Sequence, residues 1–284
     1  VVSDPNVSSP QGFDLRHHQP NNLTGFSASV FFDRANNRYV LGIRGTESVV
    51  DIFEDVNRIG VQGFAGDQAV ALYRYYRKLT TAPGQPVNYS DSEVALLSAM
   101  RLGVFLNANA AIRIFGRSKL REELAKDVGS LPLDGSSASV LQPGAPLIVT
   151  GHSLGGHLAL LFGRFFPDVT EHVYTYNAPG VGLIGETALW RLGIAPIEPA
   201  RVTNVASVMG NETISRIWSK PGENIGVATE PGSLLYQHSI VPLADTLALY
   251  GAFATLSPGL AGDPAAVSGI ISAASPYSEE SLEA

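Results

Sequence analysis

The sequence has no cysteine and few charged residues. Without cysteine, disulfide bonds, thiol nucleophiles and thiolate metal sites are excluded. Charged residues make up 16% of the chain, against roughly 25% in an average globular protein. Apolar residues make up 45%, and this balance excludes a disordered polar chain. The net charge of −7 argues against nucleic acid as a partner, because binding to phosphate backbones needs clustered lysine and arginine.

Long apolar runs are missing as well. The nearest to one is residues 94–115, which is interrupted by Arg101, Asn107, Asn109 and Arg113. A bilayer span needs about 18–20 consecutive apolar residues, so no transmembrane segment is predicted. The absence of cysteine does not place the protein in a redox compartment, although it is compatible with export. Residues 275–284 are polar and acidic, and we interpret them as a tail.

Strand-like and helix-like patterns alternate along the chain. Residues 27–32 and 38–44 have the pattern of two strands, and the polar residues 33–37 between them suit a hairpin turn. Apolar runs predict three more strands, at 147–150, 172–176 and 201–206. Helical spacing predicts helices at 65–79, 91–105, 118–128, 158–166 and 240–256, with a short one at 51–57. We therefore expect an α/β fold with a mostly parallel central sheet flanked by helices, as one domain over residues 1–284 with an extended arm at 1–25.

The segment Gly151-His152-Ser153-Leu154-Gly155 fits the pattern Gly-x-Ser-x-Gly. It follows a strand pattern and precedes a helical one, and in that context a sharp turn lifts a nucleophilic serine out of a sheet. Short motifs recur by chance, so the strand and helix around this one distinguish it from an ordinary glycine turn with a solvent-exposed serine. Ser153 is thus predicted to be a nucleophile. The amide of Leu154, directly after it, is by geometry an oxyanion donor.

A serine hydroxyl needs a general base. Six histidines compete for that role: His17, His18, His152, His157, His172 and His238. In α/β-hydrolases the acid and then the histidine follow the serine along the chain. His238 lies late in the chain, immediately before a helical pattern, and we predict it to be the base. The alternative is a surface or helix-capping histidine.

The acid must then lie between Ser153 and His238. The choices are Asp168, Glu171, Glu186, Glu198, Glu212, Glu223 and Glu230. Glu212 follows the strand pattern at 201–206 through a short segment, where a loop at the carboxyl end of a sheet would present it. Glu223 and Glu230, in a stretch rich in glycine and proline, remain its rivals. For each of these residues the alternative is a solvent-exposed carboxylate without a catalytic role, which is the commonest situation for glutamate.

Four sequence blocks carry a resemblance to a known family. They are Val-Leu-Gly-Ile-Arg-Gly-Thr at 40–46, the elbow at 149–158, the segment 174–182 with its Asn-Ala-Pro-Gly, and Glu-Thr-Ile-Ser at 212–215. They resemble the class 3 (fungal-type) lipase family and the related bacterial phospholipase A1-like proteins. The resemblance implies a secreted, bacterial α/β-hydrolase with Ser153, Glu212 and His238 as its catalytic triad. It also implies Thr46 as a second oxyanion donor beside Leu154, and no metal or cofactor.

Two features depart from the family pattern. Glu212 stands where the family usually has aspartate, and one extra methylene moves the carboxylate. More residues separate Thr46 from Ser153 than we expect for the compact fungal members. We expect the surplus within residues 82–145, as a helical lid or cap insertion. The apolar residues 94–106 would form either that lid or a helix packed in the core, and residues 51–57 are a second lid candidate.

The resemblance implies a serine carboxylester hydrolase that forms an acyl-enzyme on Ser153. Its expected substrate is the acyl ester of a lipid, either a triacylglycerol or a phospholipid, reached through transient contact with a lipid interface. A soluble short-chain or aryl (feruloyl-like) esterase is the alternative within this class. Outside it, the alternative is a non-catalytic binding or effector module on a hydrolase fold. Acyl transfer to an alcohol would share the same acyl-enzyme.

Overall fold

The computed structural model describes residues 10–45, 65–102, 110–208, 212–230 and 232–261, with residues 263, 265–267, 269–270 and 273. Within these ranges a sheet of seven strands forms the centre of the molecule. The strands are β1 (Phe13–Gln19), β2 (Ala28–Asp33), β3 (Arg38–Ile43), β4 (Leu147–His152), β5 (Thr170–Tyr176), β6 (Val202–Ser207) and β7 (Glu223–Val227).

The strands lie in the sheet in the order of the sequence. β1, β2 and β3 are antiparallel neighbours, whereas β3 to β7 run parallel to one another. Helices on the connections flank the sheet, which confirms the predicted α/β fold with a mostly parallel central sheet. Parallel strands end at the same edge of a sheet, so the loops after β3, β4, β5 and β6 meet there.

The described helices lie mainly between the parallel strands. They are α1 (Gly66–Leu79), α2 (Asp91–Leu102), α3 (Ala110–Leu124), α4 (Leu154–Phe165), α5 (Leu183–Arg191), α6 (Leu234–His238), α7 (Ile240–Leu256) and α8 (Pro258–Ala261). Two 3₁₀ turns lie at Pro199–Arg201 and Ile214–Arg216. In the part of the chain that is described, no helix combines the length and apolar character that crossing a bilayer would require.

The main core lies between the sheet and the helices α1 and α4. Leu41, Val149 and Val173 of the central strands are fully buried in one cluster with residues of both helices. A helix that is apolar on all sides belongs inside a protein, and α4 is buried along almost its whole length. Tyr76 of α1 meets Phe162 of α4 edge-on, with ring centroids 5.2 Å apart. This packing holds α4, which begins directly after Ser153, against the core.

The expected insertion at residues 82–145 contributes to the core where it is described. Val94, Leu97 and Met100 of α2 are buried in the same cluster as α1 and α4. The hydroxyl of Tyr73 on α1 donates to Glu93 on α2 at 3.0 Å, which ties the two helices together. For these residues the core alternative therefore describes the packing better than the lid alternative. Residues 103–109 and the other lid candidate, residues 51–57, lie outside the described residues.

Several elements differ from the sequence-based prediction. The expected extended arm contains β1, which pairs with β2. The segment around Glu223, expected to be a loop, forms the edge strand β7. Both strands are polar and only partly covered, so neither shows the apolar alternation by which a strand is recognised. α5 was not predicted either, and α3 begins at Ala110 rather than at residue 118.

Candidate active site

Ser153 lies in the turn between β4 and α4, in a strained backbone conformation. Its φ of 54° and ψ of −127° are uncommon for a residue with a side chain and cost about 1–3 kcal/mol. A backbone hydrogen bond fixes the turn to the neighbouring strand, since the amide of Ser153 donates to the carbonyl of Tyr176 on β5 at 2.9 Å. The strand, sharp turn and helix predicted around Gly-x-Ser-x-Gly are therefore present.

The glycines of the motif are required by close backbone contacts. A Cβ at Gly151 would lie 2.3 Å from the carbonyl group of Gly155. A Cβ at Gly155 would lie 2.2 Å from the carbonyl oxygen of Ile43 on β3. Gly45 after β3 is under the same constraint, since its Cβ would lie 2.5 Å from the carbonyl oxygen of His152. The backbone at the end of β3 thus lies directly against the serine turn.

Gly155→Ala is expected to destabilise the fold. The added methyl group collides with backbone that cannot rotate away, and overpacking of this kind costs about 1–3 kcal/mol or more. Denaturant unfolding with circular dichroism measures the loss of stability. Gly251→Ala is the matched control, because a Cβ there meets nothing within 4 Å and alanine favours a helix interior by up to about 1 kcal/mol. Equal stability of the two variants would contradict the close packing of β3 on the turn.

Ser153, His238 and Glu212 form a continuous hydrogen-bonded array, called the triad below. The Nε2 of His238 lies 2.7 Å from the Oγ of Ser153, and its Nδ1 lies 3.0 Å from the Oε1 of Glu212. The three residues are 4%, 1% and 0% exposed. A carboxylate only accepts hydrogen bonds, so Nδ1–H donates to Glu212 and Nε2 is left to accept the serine proton.

Glu212 is held by the chain that follows it. Its carboxylate accepts the amide of Ile214 at 3.0 Å and the amide of Ser215 at 3.1 Å, and also the hydroxyl of Ser215. Burial raises the pKa of Glu212, but the hydrogen bonds from His238 and Ser215 outweigh it, and the pKa lies below its ordinary value of 4.5. Near neutral pH the group therefore faces His238 as a carboxylate.

The main chain of His238 is fixed to two strand ends. His152 donates from Nε2 to the carbonyl oxygen of His238 at 2.6 Å. The side-chain amide of Asn177, after β5, donates to the carbonyls of Gln237 and His238 at 3.2 and 3.3 Å. Its oxygen accepts the amide of Ser207 at the end of β6, at 3.0 Å. Burial lowers the pKa of His152 to about 4, so this imidazole is neutral and acts as a structural donor.

The other histidines serve the scaffold. His157 on α4 is fully buried and its Nδ1 donates to the carbonyl of Gly180 at 3.1 Å. In β1, His17 bonds to the hydroxyl of Tyr75 and His18 to that of Ser29. His172 lies 2.9 Å from the hydroxyl of Thr203. Of the six histidines, all of them described, His238 is the one within hydrogen-bond distance of Ser153.

The rival acids lie elsewhere. Glu223 begins β7 and is exposed, and Glu230 accepts the hydroxyl of Tyr236 at 3.2 Å. Of the expected oxyanion donors, Leu154 is the first residue of α4, so its amide is one of the N–H groups that a helix leaves without an internal partner. Thr46 lies outside the described residues, although Gly45 before it lies against the serine turn.

A cavity of about 760 Å³ lies along β2, β3 and β4. Its lining includes Arg44, His152 and Ile240 together with Ser29, Phe31 and Gly42, but no residue of the triad. It borders the residue before Ser153 and the helix after His238. Over the described part of the chain, no three His, Asp or Glu side chains group as ligands of one metal ion would.

The comparisons with known proteins are distant. No family model matches the chain, and no curated protein matches it. Among solved structures it is similar to Lip2 lipase from Yarrowia lipolytica, with 17% identity over 76% of this chain and 66% of that one, just under two thirds, and a TM-score of 0.34. A triacylglycerol lipase from Penicillium expansum has 14% identity over 77% and 71%, with a TM-score of 0.36. A lipase from Rhizopus microsporus var. chinensis has 15% identity over 78% and 63%, with a TM-score of 0.37. The chain therefore has a distant structural resemblance to fungal lipases, at a level from which no activity follows.

Proposed function

We propose that the protein is a serine carboxylester hydrolase that cleaves acyl esters of lipids. The observation that carries the proposal is the triad, in which Ser153, His238 and Glu212 are joined at 2.7 and 3.0 Å and buried together. A serine bonded to an imidazole that a buried carboxylate orients is the arrangement that activates a weak nucleophile. An ordinary structural serine has no need of this arrangement.

In the proposed reaction, the Oγ of Ser153 attacks the ester carbonyl carbon and its proton passes to the Nε2 of His238. Glu212 stabilises the resulting imidazolium through Nδ1–H. The amide of Leu154 donates to the tetrahedral oxyanion, and we propose that Thr46 supplies the second donor. The imidazolium then protonates the leaving alcohol, which departs and leaves the acyl group on Ser153. Water, deprotonated by His238, releases the carboxylic acid and restores the serine.

Lipid as the substrate class is supported by the four sequence blocks that resemble class 3 lipases and by the burial of the nucleophile. Ser153 is only 4% exposed, and we propose that part of the protein covers the nucleophile and moves when an ester binds. Movement that opens a site at a lipid surface gives activity that rises when the substrate aggregates. A soluble short-chain or aryl esterase shares the triad but has no need of an interface.

The test measures hydrolysis of p-nitrophenyl esters from acetate to palmitate, and release of fatty acid from emulsified triacylglycerol and from phosphatidylcholine vesicles. We expect long-chain esters to be cleaved, with a rate that increases sharply once the substrate forms an interface. Labelling of Ser153 by an alkyl fluorophosphonate, read by mass spectrometry, checks the nucleophile independently of any substrate.

Each result decides between the alternatives. Activity limited to short, dissolved esters would move the protein to the soluble esterases. Product found on an added alcohol rather than in water would identify an acyltransferase. Absence of both turnover and fluorophosphonate labelling in folded protein would overturn the proposal and leave a non-catalytic binding module. The phospholipid and triacylglycerol arms together assign the lipid class.

A further inference from the structure

Lys220 lies next to the loop that holds Glu212, the acid of the triad, and links that loop to the one after β5. Its ammonium donates to the carbonyl of Ala178 at 2.9 Å and to the carbonyl of Ser215. Ser215 is the residue whose amide and hydroxyl bind the carboxylate of Glu212. Ser215 therefore contacts both the ammonium of Lys220 and the buried carboxylate of Glu212. The same bridge joins the acid's loop to the loop that follows β5.

The charge of Glu212 is poorly compensated by the other members of the triad. Glu212 is fully buried, and a buried ion is costly unless an opposite charge accompanies it. A base that accepts the serine proton adds no positive charge before that step, so until then the one charge within the triad is that of Glu212. Lys220 is half-buried, and burial lowers its pKa while the charge of Glu212 acts in the opposite direction. The two groups therefore attract each other through the protein interior.

We propose that Lys220 is a positioning residue whose positive charge offsets the charge of Glu212 and so sets the lower end of the pH range in which His238 acts as a base. The proposal rests on the proposed hydrolase function for its activity measurement only. Lys220 contributes both hydrogen bonds that link two loops and a positive charge. The two contributions can be tested separately, because a neutral donor at this position keeps the hydrogen bonds but not the charge.

The described residues place several other charged or titratable groups near the triad and Lys220. His152 contacts His238 directly, with ring centroids 5.0 Å apart, and its lowered pKa keeps it neutral. Glu230 lies beside Tyr236 of α6. Arg164 and Glu186 line a cavity of about 270 Å³ with Lys220, and they form an ion pair at 2.7 Å, so they largely cancel. Arg44 lines the cavity that His152 also borders.

The direction of the effect follows from the signs of the charges. A cation near the triad disfavours the protonated imidazole, so its removal raises the pKa of His238. The acid limb of kcat/KM reports that protonation in the free enzyme. Loss of the charge at Lys220 should therefore move the acid limb to higher pH, by about one pH unit for a charge separated by several ångströms of protein.

The experiment compares Lys220→Met with Lys220→Gln. Glutamine is neutral but can donate from its amide to the carbonyls of Ala178 and Ser215, so it preserves the bridge that methionine loses. Lys119→Met, at an exposed position on α3, removes a charge that belongs to neither the triad nor the Lys220 bridge, and it is the matched control. For each protein we would measure the pH profile of kcat/KM on a dissolved ester. The imidazole of His238 would be titrated in parallel by ¹⁵N NMR of labelled protein.

We expect both Lys220 variants, and not the control, to show an acid limb and an imidazole pKa raised by about one unit. If Lys220→Gln matches wild type while Lys220→Met is weakened equally at every pH, Lys220 is only a structural bridge and the proposal is overturned. Should Lys220→Met fail to fold, the glutamine variant still decides. If wild type has no esterase activity, the NMR titration tests the effect of Lys220 alone, so failure of the proposed function is distinguishable from failure of this inference.

Discussion

Ser153→Ala is expected to reduce kcat on a carboxylic ester by about 10⁵- to 10⁶-fold, the scale seen when a triad loses its nucleophile. The reason is that the acyl-enzyme then cannot form, while the oxyanion donors and the binding surface remain and leave only a small residual rate over water. KM should change little, because the removed hydroxyl group binds the reacting carbon and not the rest of the substrate. Steady-state kinetics on a p-nitrophenyl ester measure the loss, and fluorophosphonate labelling should disappear with it.

The control for this variant is Ser118→Ala, an exposed serine on α3 that should leave both kcat and KM unchanged. Circular dichroism and the unfolding midpoint show whether each variant is folded. If Ser153→Ala kept more than about one hundredth of the wild-type kcat in purified, folded protein, another group would be the nucleophile. The hydrogen bond from Ser153 to His238 would then be structural.

Much of the fold could be predicted because the central elements are buried. β3, β4 and α4 are rich in apolar residues, as short apolar runs in the strands and at helical spacing in α4, and such patterns identify secondary structure in a single sequence. β1 and β7 could not be predicted in this way, since each pairs along one edge of the sheet and keeps polar residues. Their strand conformation depends on hydrogen bonds to β2 and β6, which are tertiary contacts.

In the candidate site, too, residues with a local sequence pattern could be predicted, whereas those defined by tertiary contacts could not. Ser153 carries a local motif, and the order of acid and base along the chain pointed to Glu212 and His238, which the structure brings together with it. Nothing local in the sequence indicated that His152 and Asn177 hold the carbonyl of His238. Asn177 does carry a signal that could have been used. It is a polar residue directly after a buried strand, and its φ of 44° is tolerated better by asparagine than by most residues.

The acid gives the second large prediction: Glu212→Gln is expected to lower kcat by about 10⁴-fold. An amide has nearly the same shape as the carboxylate. The Oε1 position accepts the amides of Ile214 and Ser215 and also faces the Nδ1 of His238, so either orientation of the glutamine amide is unfavourable. With its oxygen there, the side chain lacks the negative charge that stabilises the imidazolium. With its NH₂ group there, two donors face each other, and the imidazole is driven to the tautomer whose Nε2 carries the proton and cannot accept one from Ser153. Kinetics at saturating ester measure the loss.

Glu212→Asp tests the effect of side-chain length while the negative charge is kept. Aspartate keeps the negative charge but is one methylene shorter, so its carboxylate cannot contact the Ser215 amide and His238 together at their present distances. We expect a loss of about 10- to 100-fold, between wild type and the glutamine variant, since misplacement by about 1 Å costs that much. Equal activity of wild type and Glu212→Asp would mean that the loop of residues 212–217 adjusts freely, against the hydrogen bonds that fix it.

The stability of wild type relative to Glu212→Gln should also depend on pH. The pKa of Glu212 is below its ordinary value of 4.5 in the folded state, so the ionised carboxylate stabilises the fold. This contribution is complete above pH 4.5 and is lost as the pH falls through the lower, folded pKa. Unfolding free energies of the two proteins at several pH values would therefore converge in acid. If the difference stayed constant across that range, the bonds from His238 and Ser215 would not be favouring the charged form of Glu212, and the electrostatic role assigned to it would be wrong.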